Sequence, residues 1–383
     1  MITEARTITI TCQEHLSSYL EQEIVANGFE VKKKGKTHVE TFGTPVSALR
    51  LVMNLRTASR VLWKLFEFPA SSIQEFYQRM KEQHWDELID VDGYFSIRAT
   101  AVHPEVKHSV FLVQRLKDSI ADFFISKYKR RPDSGIEAKG VVIYVHWINN
   151  LVTVYLDIAG DTLAKHGYRK KSTDAPLLEG TATGVLMATG WTFDTPIVDP
   201  MCGSGTFAIE AAMMAMNIAP GLLRGEPSIV HVKNFPHEVW KEEMERAKTA
   251  IQKKSLQIIA GDRNPQALSA ARINAKEAGV SEQINFQLCR FDEIKIPNGP
   301  GTVIVNPPYG ERLGEQAELI ALYRSLGDFF KKRCGGYNCF VLTENGQLTK
   351  EIGLRPAQKM PFINGKLDCR LLKYPVYAGT RGK

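Results

Sequence analysis

The most specific chemistry in the sequence lies in four residues that follow a short apolar run, residues 301–305. These residues are Asn306-Pro307-Pro308-Tyr309. Two consecutive prolines fix φ and remove two backbone donors, so the turn is rigid and presents mainly acceptors. The carboxamide oxygen of Asn306 and the carbonyl of Pro307 can together accept from one NH2 group, and Tyr309 offers a ring on which a flipped base can stack. The turn is therefore predicted to hold a planar amine for alkylation, and its four residues are the candidate catalytic residues. The competing interpretation is a plain strand-ending turn.

A second loop, further towards the amino terminus, is typical of a small-ligand site. The apolar run 195–198 leads into Asp199-Pro200-Met201-Cys202-Gly203-Ser204-Gly205-Thr206, and a helical stretch follows. Gly203 and Gly205 allow positive φ and a close approach of a ligand to the main chain. The loop lacks both the Lys-Ser/Thr ending of a phosphate loop and the G-x-G-x-x-G of a dinucleotide site. Asp199 instead suits an ammonium group, such as that in the methionine portion of S-adenosylmethionine.

A third apolar run, residues 256–260, ends in Gly261-Asp262 before a helical stretch. By the logic of nucleotide-binding folds, Asp262 would accept hydrogen bonds from ribose hydroxyls. It lies much further from the glycine loop than the roughly 20 residues of a compact unit. We therefore expect an insertion between the two, over residues 217–253.

Together with other segments, these motifs resemble the bacterial THUMP-containing methyltransferases that modify the 2-amino group of guanine in large-subunit ribosomal RNA. The other segments are Leu156 to Asp161, Lys165 to Arg169, Ala175 to Glu179, Asn217 to Gly221 and Gly310 to Leu313. The resemblance implies S-adenosylmethionine as cofactor, with the glycine loop at its methionine end and Asp262 at its ribose. It also implies that the Asn-Pro-Pro-Tyr turn holds the target base. The cofactor-binding candidates are Asp199, Met201, Gly203, Gly205, Thr206, Asp262 and Asp292.

Asp292 is included because one position departs from the family pattern. Family members usually have an acid shortly after the strand that follows the ribose acid, where it receives the adenine amine. Here Arg290 occupies that register, and Asp292 is the nearest substitute. The competing interpretation of Asp292 is a solvated charge or a helix cap.

Composition favours a soluble cytoplasmic enzyme. The 383 residues are 44% hydrophobic and 24% charged, which is enough core for two or three domains. No apolar stretch approaches the roughly 18 residues of a membrane span, and no signal peptide is recognisable at the start. The six cysteines form no C-x-x-C pair, so we predict reduced thiols and no metal site.

The formal net charge of +7 is compatible with RNA as a partner but does not require it. Local basic clusters are more informative, although most charge runs are solvated faces. One cluster, 127–131, ends an amphipathic helix and contains an aromatic residue that could stack on an unpaired base. A second basic cluster, Arg169 to Lys171, follows Tyr168. The RNA-binding candidates are Lys127, Lys129, Arg130, Arg131 and Arg169.

The pattern of elements predicts three domains. Residues 1–68 read as β-α-β-β-α-β, the split unit of a ferredoxin-like domain. Residues 69–158 resemble the THUMP module, whose family role is RNA docking. Residues 159–383 alternate strands and helices as a doubly wound, Rossmann-like α/β sheet, and end in a hairpin around Asn364-Gly365, which gives an antiparallel end strand.

The function expected from the sequence is methyl transfer to the 2-amino group of a guanine in large-subunit ribosomal RNA. Two alternative substrates remain open, a tRNA guanine and a DNA adenine, because the same turn could hold either amine. A non-enzymatic RNA-binding or ribosome assembly factor is the third alternative.

Overall fold

The computed structural model describes residues 4–106, 108–172, 177–308, 316–344 and 346–378. The chain forms two compact units. The first contains the chain up to Cys12, residues 20–163 and residues 224–249, and the second contains residues 13–19, 164–223 and 250 onwards.

The first unit contains an eight-stranded mixed sheet. Its strands are Arg6–Cys12 (β1), Lys33–Lys34 (β2), His38–Gly43 (β3), Ala58–Pro69 (β4), Tyr94–Val102 (β5), Asp133–Gly135 (β6), Val141–Ile148 (β7) and Leu151–Asp157 (β8). Their order is β2-β3-β1-β4-β8-β7-β5-β6. Strand β4 pairs antiparallel with both β1 and β8, so the sheet runs without a break through the predicted boundary at 68/69.

The helices of this unit include Pro45–Asn54 (α2), Ile73–Lys81 (α3) and Ser109–Tyr128 (α4), and local capping signals account for the first two. Thr44 caps α2 with its side chain, and proline occupies the first turn, where no backbone donor is needed. Ser72 caps α3 by accepting from the N–H of Glu75. Helix Ser17–Ala26 (α1) precedes these three.

The predicted insertion is present, but part of it belongs to the first unit. Residues 224–249 include the helix His237–Thr249 (α7), in which Trp240 and Ala247 are buried. Glu243 of α7 pairs with Arg50 of α2 at 3.1 Å. Residues 224–249, which lie inside the predicted range 159–383, therefore belong to the first unit by their contacts, and the predicted domain bounds stay a prediction.

The second unit contains a seven-stranded sheet in the order β11-β10-β9-β12-β13-β15-β14. Its strands are Ile197–Asp199 (β9), Ile258–Asp262 (β10), Ile284–Leu288 (β11), Gly301–Val305 (β12), Tyr337–Thr343 (β13), Gln358–Asn364 (β14) and Leu367–Pro375 (β15). Strands β9 to β13 pair in parallel, whereas β13, β15 and β14 pair antiparallel. The predicted doubly wound sheet with an antiparallel end is confirmed.

Helices cover this sheet: Glu179–Thr189 (α5), Thr206–Ala215 (α6), Pro265–Glu277 (α8) and Gln316–Arg333 (α9). Strand β12 is buried at every residue, as expected for a central parallel strand. One face of α9 buries Tyr323, Leu326 and Phe330 in a cluster with Val303 and Val305 of β12. This packing fixes α9 beside the residues that follow β12.

The terminal hairpin forms, with a turn that differs from the expected Asn364-Gly365. Asn364 pairs with Leu367, so the two-residue loop is Gly365 and Lys366. Of these two, only Gly365 has positive φ, at 63°. A glycine in the first central position is the requirement of a type II′ turn rather than the type I′ turn that Asn-Gly suggests.

Within the described residues, no helix is both long and apolar enough to cross a membrane.

Candidate active site

A cavity of about 470 Å³ opens in the second unit at the carboxyl ends of its parallel strands. This edge of an open α/β sheet is where ligands bind, because the strand-to-helix loops diverge there. The loops after β9, β10, β11 and β12 and one face of α9 all contribute to the wall. The lining residues are Pro200, Met201, Asp262, Arg263, Arg290, Phe291, Asn306, Pro308, Glu318, Ala321, Leu322 and Ser325.

Asn306 lies in the wall directly after β12. Its Oδ1 atom is buried and has no hydrogen-bond partner among the described residues. A buried carbonyl oxygen without a partner costs about 1–3 kcal/mol, so its presence in a cavity wall indicates a site for an external donor. Pro307 is buried behind it, and Pro308 lines the cavity. Tyr309 lies outside the described residues.

Asp199 ends β9 and is 4% exposed. Its Oδ1 accepts from the backbone N–H of Met201 at 3.3 Å. Burial raises the pKa of the Asp199 carboxyl to about 8, and the negative charge of Asp262 adds to this shift, against the opposing Met201 hydrogen bond. A buried carboxylate with one weak donor is electrostatically incomplete, and a cationic ligand group would complete it.

Asp262 ends β10 and fixes two loops at once. Its Oδ2 accepts from the N–H of Gly203 at 2.9 Å, and its Oδ1 accepts from the N–H of Asn264 at 2.8 Å. Asn264 in turn caps α8 through its own side chain. Each carboxylate oxygen has two lone pairs, so Asp262 retains acceptor capacity toward the cavity that it lines.

The glycine loop between β9 and α6 needs its glycines. Gly203 and Gly205 have φ of 53° and 85°. A Cβ on Gly205 would lie 2.9 Å from the Cβ of Ala271 in α8, so the close packing of loop and helix excludes a side chain there. The predicted cofactor candidates Gly203, Gly205 and Thr206 form this loop behind the cavity, whereas Met201 lines the cavity itself.

Arg169, which the sequence predicts to contact RNA, contacts the same loop. Its guanidinium donates to Glu179 at 2.9 Å, to Ser204 at 2.9 Å and to Thr206 at 3.1 Å, and also to the carbonyl of residue 177. Its side chain is only 16% exposed. Because the donors are used within the protein, Arg169 acts on the shape of the glycine loop rather than on a phosphate.

Asp292 is absent from the described residues that line the cavity, whereas Arg290 and Phe291 are present. The Asp292 carboxylate accepts from Arg290 Nε at 3.1 Å and from Nη2 at 3.3 Å. The hydrogen bond from Arg290 lowers the pKa of the Asp292 carboxyl. The acid thus orients the arginine, and a contact of Asp292 with the cofactor stays a prediction.

The basic cluster 127–131 of the first unit is partly neutralised. Lys127 pairs with Asp86 at 2.6 Å, and Arg130 pairs with Asp92 at 2.7 Å. Lys129 occupies the left-handed cap of α4 with φ of 61°, and its Nζ donates to the carbonyl of Ser126. Arg131 is exposed. All four charges remain close to the surface, so phosphate contact stays a prediction for them.

Eight of the twelve lining residues are not among the predicted site residues, and four of these eight have a spacing that contains a signal. Glu318, Ala321, Leu322 and Ser325 follow the i, i+3, i+4, i+7 pattern and therefore form one helix face. This pattern identifies a face, but only the packing of α9 on β12 shows that the face borders the cavity.

The doubly wound sheet, the glycine loop after β9 and the Asn-Pro-Pro turn after β12 define a Rossmann-like methyltransferase fold. Family models match most of the chain: an RMKL-like methyltransferase domain at 166–373, a THUMP domain at 70–157 and an RlmL ferredoxin-like domain at 7–62. The chain belongs to this RMKL-like methyltransferase family. The family resemblance and the fold class expected from the sequence are thereby confirmed.

Relatives agree with this assignment. The ribosomal RNA large subunit methyltransferase K/L of Marinomonas sp. is 33% identical over 97% of this chain, which spans about half, 53%, of that relative's length. A candidate RNA methyltransferase of Synechocystis sp. is 33% identical over 96% of both chains.

Solved structures agree as well. A possible methylase from Clostridium difficile superposes with a TM-score of 0.88 at 29% identity, and covers 99% of this chain and all of its own. The protein SMU.472, solved in complex with SAH, superposes with a TM-score of 0.87 at 26% identity and the same coverage.

Proposed function

We propose that the chain is an S-adenosylmethionine-dependent methyltransferase that acts on the exocyclic 2-amino group of a guanine in large-subunit ribosomal RNA. The observation that carries the proposal is the buried Oδ1 of Asn306 in the wall of the cavity, for which the described residues provide no hydrogen-bond partner. An acceptor in that position needs a donor from outside, and an exocyclic amine supplies one. The name of the Marinomonas relative supports ribosomal RNA of the large subunit as the substrate.

The cavity suits the proposed cofactor. SAH, which occupies the SMU.472 structure, is S-adenosylhomocysteine, the compound that remains when S-adenosylmethionine has lost its methyl group. The electrostatically incomplete Asp199 fits the amino-acid ammonium, and Asp262 has acceptor capacity for ribose hydroxyls. When bound, the cofactor supplies a methyl group made electrophilic by the neighbouring sulfonium.

The chain's own residues contribute position rather than acid-base chemistry. Asn306 Oδ1 accepts a hydrogen bond from one N–H of the amine and holds its nitrogen at the cavity wall. Accepting from the amine also draws its lone pair out of conjugation with the purine ring, which makes the nitrogen a better nucleophile. The carbonyl of Pro307 is proposed as the second acceptor, Pro308 as a rigid support and Tyr309 as the stacking surface. Alignment of this kind is worth many orders of magnitude in rate.

RNA docking is proposed for the predicted domain 69–158, which the THUMP model matches over 70–157. Within it, Lys127, Lys129, Arg130 and Arg131 are the proposed phosphate contacts. The pair that Arg130 forms with Asp92 is exposed on both sides, so it is weak enough for a phosphate to compete for the cation, whereas Lys127 pairs with Asp86, whose side chain is only 12% exposed.

The test measures transfer of tritium from labelled S-adenosylmethionine into large-subunit ribosomal RNA, small-subunit ribosomal RNA, tRNA and DNA, followed by mass spectrometry of the digested nucleosides. The proposal requires label in large-subunit RNA as N2-methylguanosine. Label in tRNA, or in DNA as N6-methyladenine, would instead establish one of the two other substrates. No label in any nucleic acid, with SAH binding absent by calorimetry, would refute the enzyme and favour an RNA-binding or assembly protein.

A further inference from the structure

The loops around the cavity occur in a fixed spatial order. Strand β10 lies between β9 and β11, so the loop bearing Asp262 separates Asp199 from Arg290. If Asp199 binds the ammonium and Asp262 the ribose, as the proposed function holds, the purine of the cofactor extends toward the loop after β11. That loop presents Arg290 and Phe291 to the cavity.

The loop after β11 is held in place independently of any ligand. Phe291 is 9% exposed and packs edge-on against Phe329 of α9, with ring centroids 5.8 Å apart. Arg333, at the end of α9, donates to the carbonyls of Asp292 at 2.7 Å and Ile294 at 3.1 Å. Both anchors come from a packed helix, so the position of Arg290 is set by the fold.

The Arg290 guanidinium is oriented as well as positioned. Asp292 accepts from its Nε and Nη2, an arrangement that fixes the plane of the guanidinium. A guanidinium carries five N–H donors and no acceptor, so about three donors remain beyond the two that Asp292 uses. It therefore cannot accept a hydrogen bond from an adenine 6-amino group. It can donate to ring nitrogens, and it matches purines that present a carbonyl beside N7.

We propose that Arg290, oriented by Asp292, is the residue that recognises the purine of the cofactor in this chain, by donating hydrogen bonds to its acceptor edge. Hydrogen-bond donation by the Arg290 guanidinium to the purine thus replaces the usual acceptance, by an acidic residue, of a hydrogen bond from the adenine 6-amino group. Asp292 is then a positioning residue that acts through Arg290.

The experiment uses calorimetry on the full chain with two ligands, SAH and S-inosylhomocysteine, in which a carbonyl replaces the 6-amino group. Arg290→Met, which keeps the apolar stem, is expected to weaken SAH binding about tenfold and S-inosylhomocysteine binding more. Asp292→Asn is expected to weaken both by a few fold and to shift the ratio of the two affinities in the same direction. In the Arg290→Met background, Asp292→Asn should have no further effect on either ligand.

Arg370→Met is the matched control, because Arg370 also pairs with an exposed aspartate two residues away, Asp368, but does not line the cavity. It should leave both affinities unchanged, and melting temperatures of all variants verify folding. Unchanged SAH affinity in Arg290→Met would overturn the inference. So would a loss in Asp292→Asn that persists when Arg290 is absent, since Asp292 would then contact the ligand itself. Failure of the wild-type chain to bind SAH would instead refute the proposed function.

Discussion

Replacing Asn306 by alanine should separate catalysis from stability. The Oδ1 of Asn306 is buried and has no hydrogen-bond partner within the described part of the chain, which costs the protein about 1–3 kcal/mol. Truncation removes this cost together with the proposed acceptor for the amine. We expect single-turnover methyl transfer to lose at least about 2 kcal/mol of transition-state stabilisation, or roughly thirtyfold in rate. The melting temperature should stay the same or rise by about 2–4 °C per kcal/mol recovered.

Rapid-quench transfer from labelled S-adenosylmethionine measures the rate, and calorimetry with SAH measures cofactor affinity, which should change little. Asn338→Ala is the control, because Asn338 is an exposed asparagine on the neighbouring strand β13. Asn306→Asp, which keeps an acceptor, should retain more activity than Asn306→Ala. A fall in melting temperature in Asn306→Ala that matches its loss of rate would show that Asn306 supports the fold, and the catalytic reasoning would be wrong.

Three further predictions concern other parts of the chain. Because the pKa of Asp199 is raised to about 8 in the free protein and an ammonium needs its ionised form, SAH affinity measured by calorimetry should fall up to tenfold per pH unit below pH 8. A flat profile, or a reversed one, would contradict this role, and the stability of the ligand-free protein should itself decrease as pH rises from about 4 to 8. Gly205→Ala should lower the melting temperature and abolish SAH binding, because the new Cβ would lie 2.9 Å from Ala271 and φ at this position is 85°. Gly190→Ala is the control, since Gly190 also has positive φ but has open space around it, and this variant should retain binding. Equal effects of the two substitutions would refute the packing argument. Arg131→Gln should reduce the slope of log RNA affinity against log salt concentration by about 1. Lys33→Gln is the control, because Lys33 pairs with Glu40, and it should leave the slope unchanged. An unchanged slope in Arg131→Gln would exclude a phosphate contact of Arg131.

The fold was largely predictable because most of its helices and strands have recognisable signals in the local sequence. The alternation in β1, the capping serine of α3 and the apolar run of β12 each identify an element without tertiary information. The assignment of residues 224–249 to the first unit was not predictable. It depends on which partner α7 finds for its apolar face, and a hydrophobic stripe does not specify its partner.

A residue of the candidate site was predictable where the local sequence motif fixes its position, and unpredictable where tertiary packing fixes it. Asn306 follows a buried strand by one residue, so its place at the sheet edge is fixed by the strand. Arg169 reads as one member of a basic run, and only the fold shows that its donors face Ser204 and Thr206. Asp292 and Arg290 are two residues apart, and their order relative to the cavity depends on how the loop is anchored by α9.

Hydrogen bonds that fix the glycine loop between β9 and α6 explain how this site could accelerate methyl transfer by aligning its ligands. Asn274 of α8 is fully buried and uses all its hydrogen-bonding capacity: it accepts from the N–H groups of Lys170 and Lys171 and donates to the carbonyls of Lys171 and Ser204. Arg169 donates to Ser204 and Thr206 of the same loop. A loop held by several such hydrogen bonds loses little conformational entropy when a ligand binds. In the proposed reaction a nitrogen and a methyl group must be held in line, so rigidity already present in the free protein would contribute directly to rate.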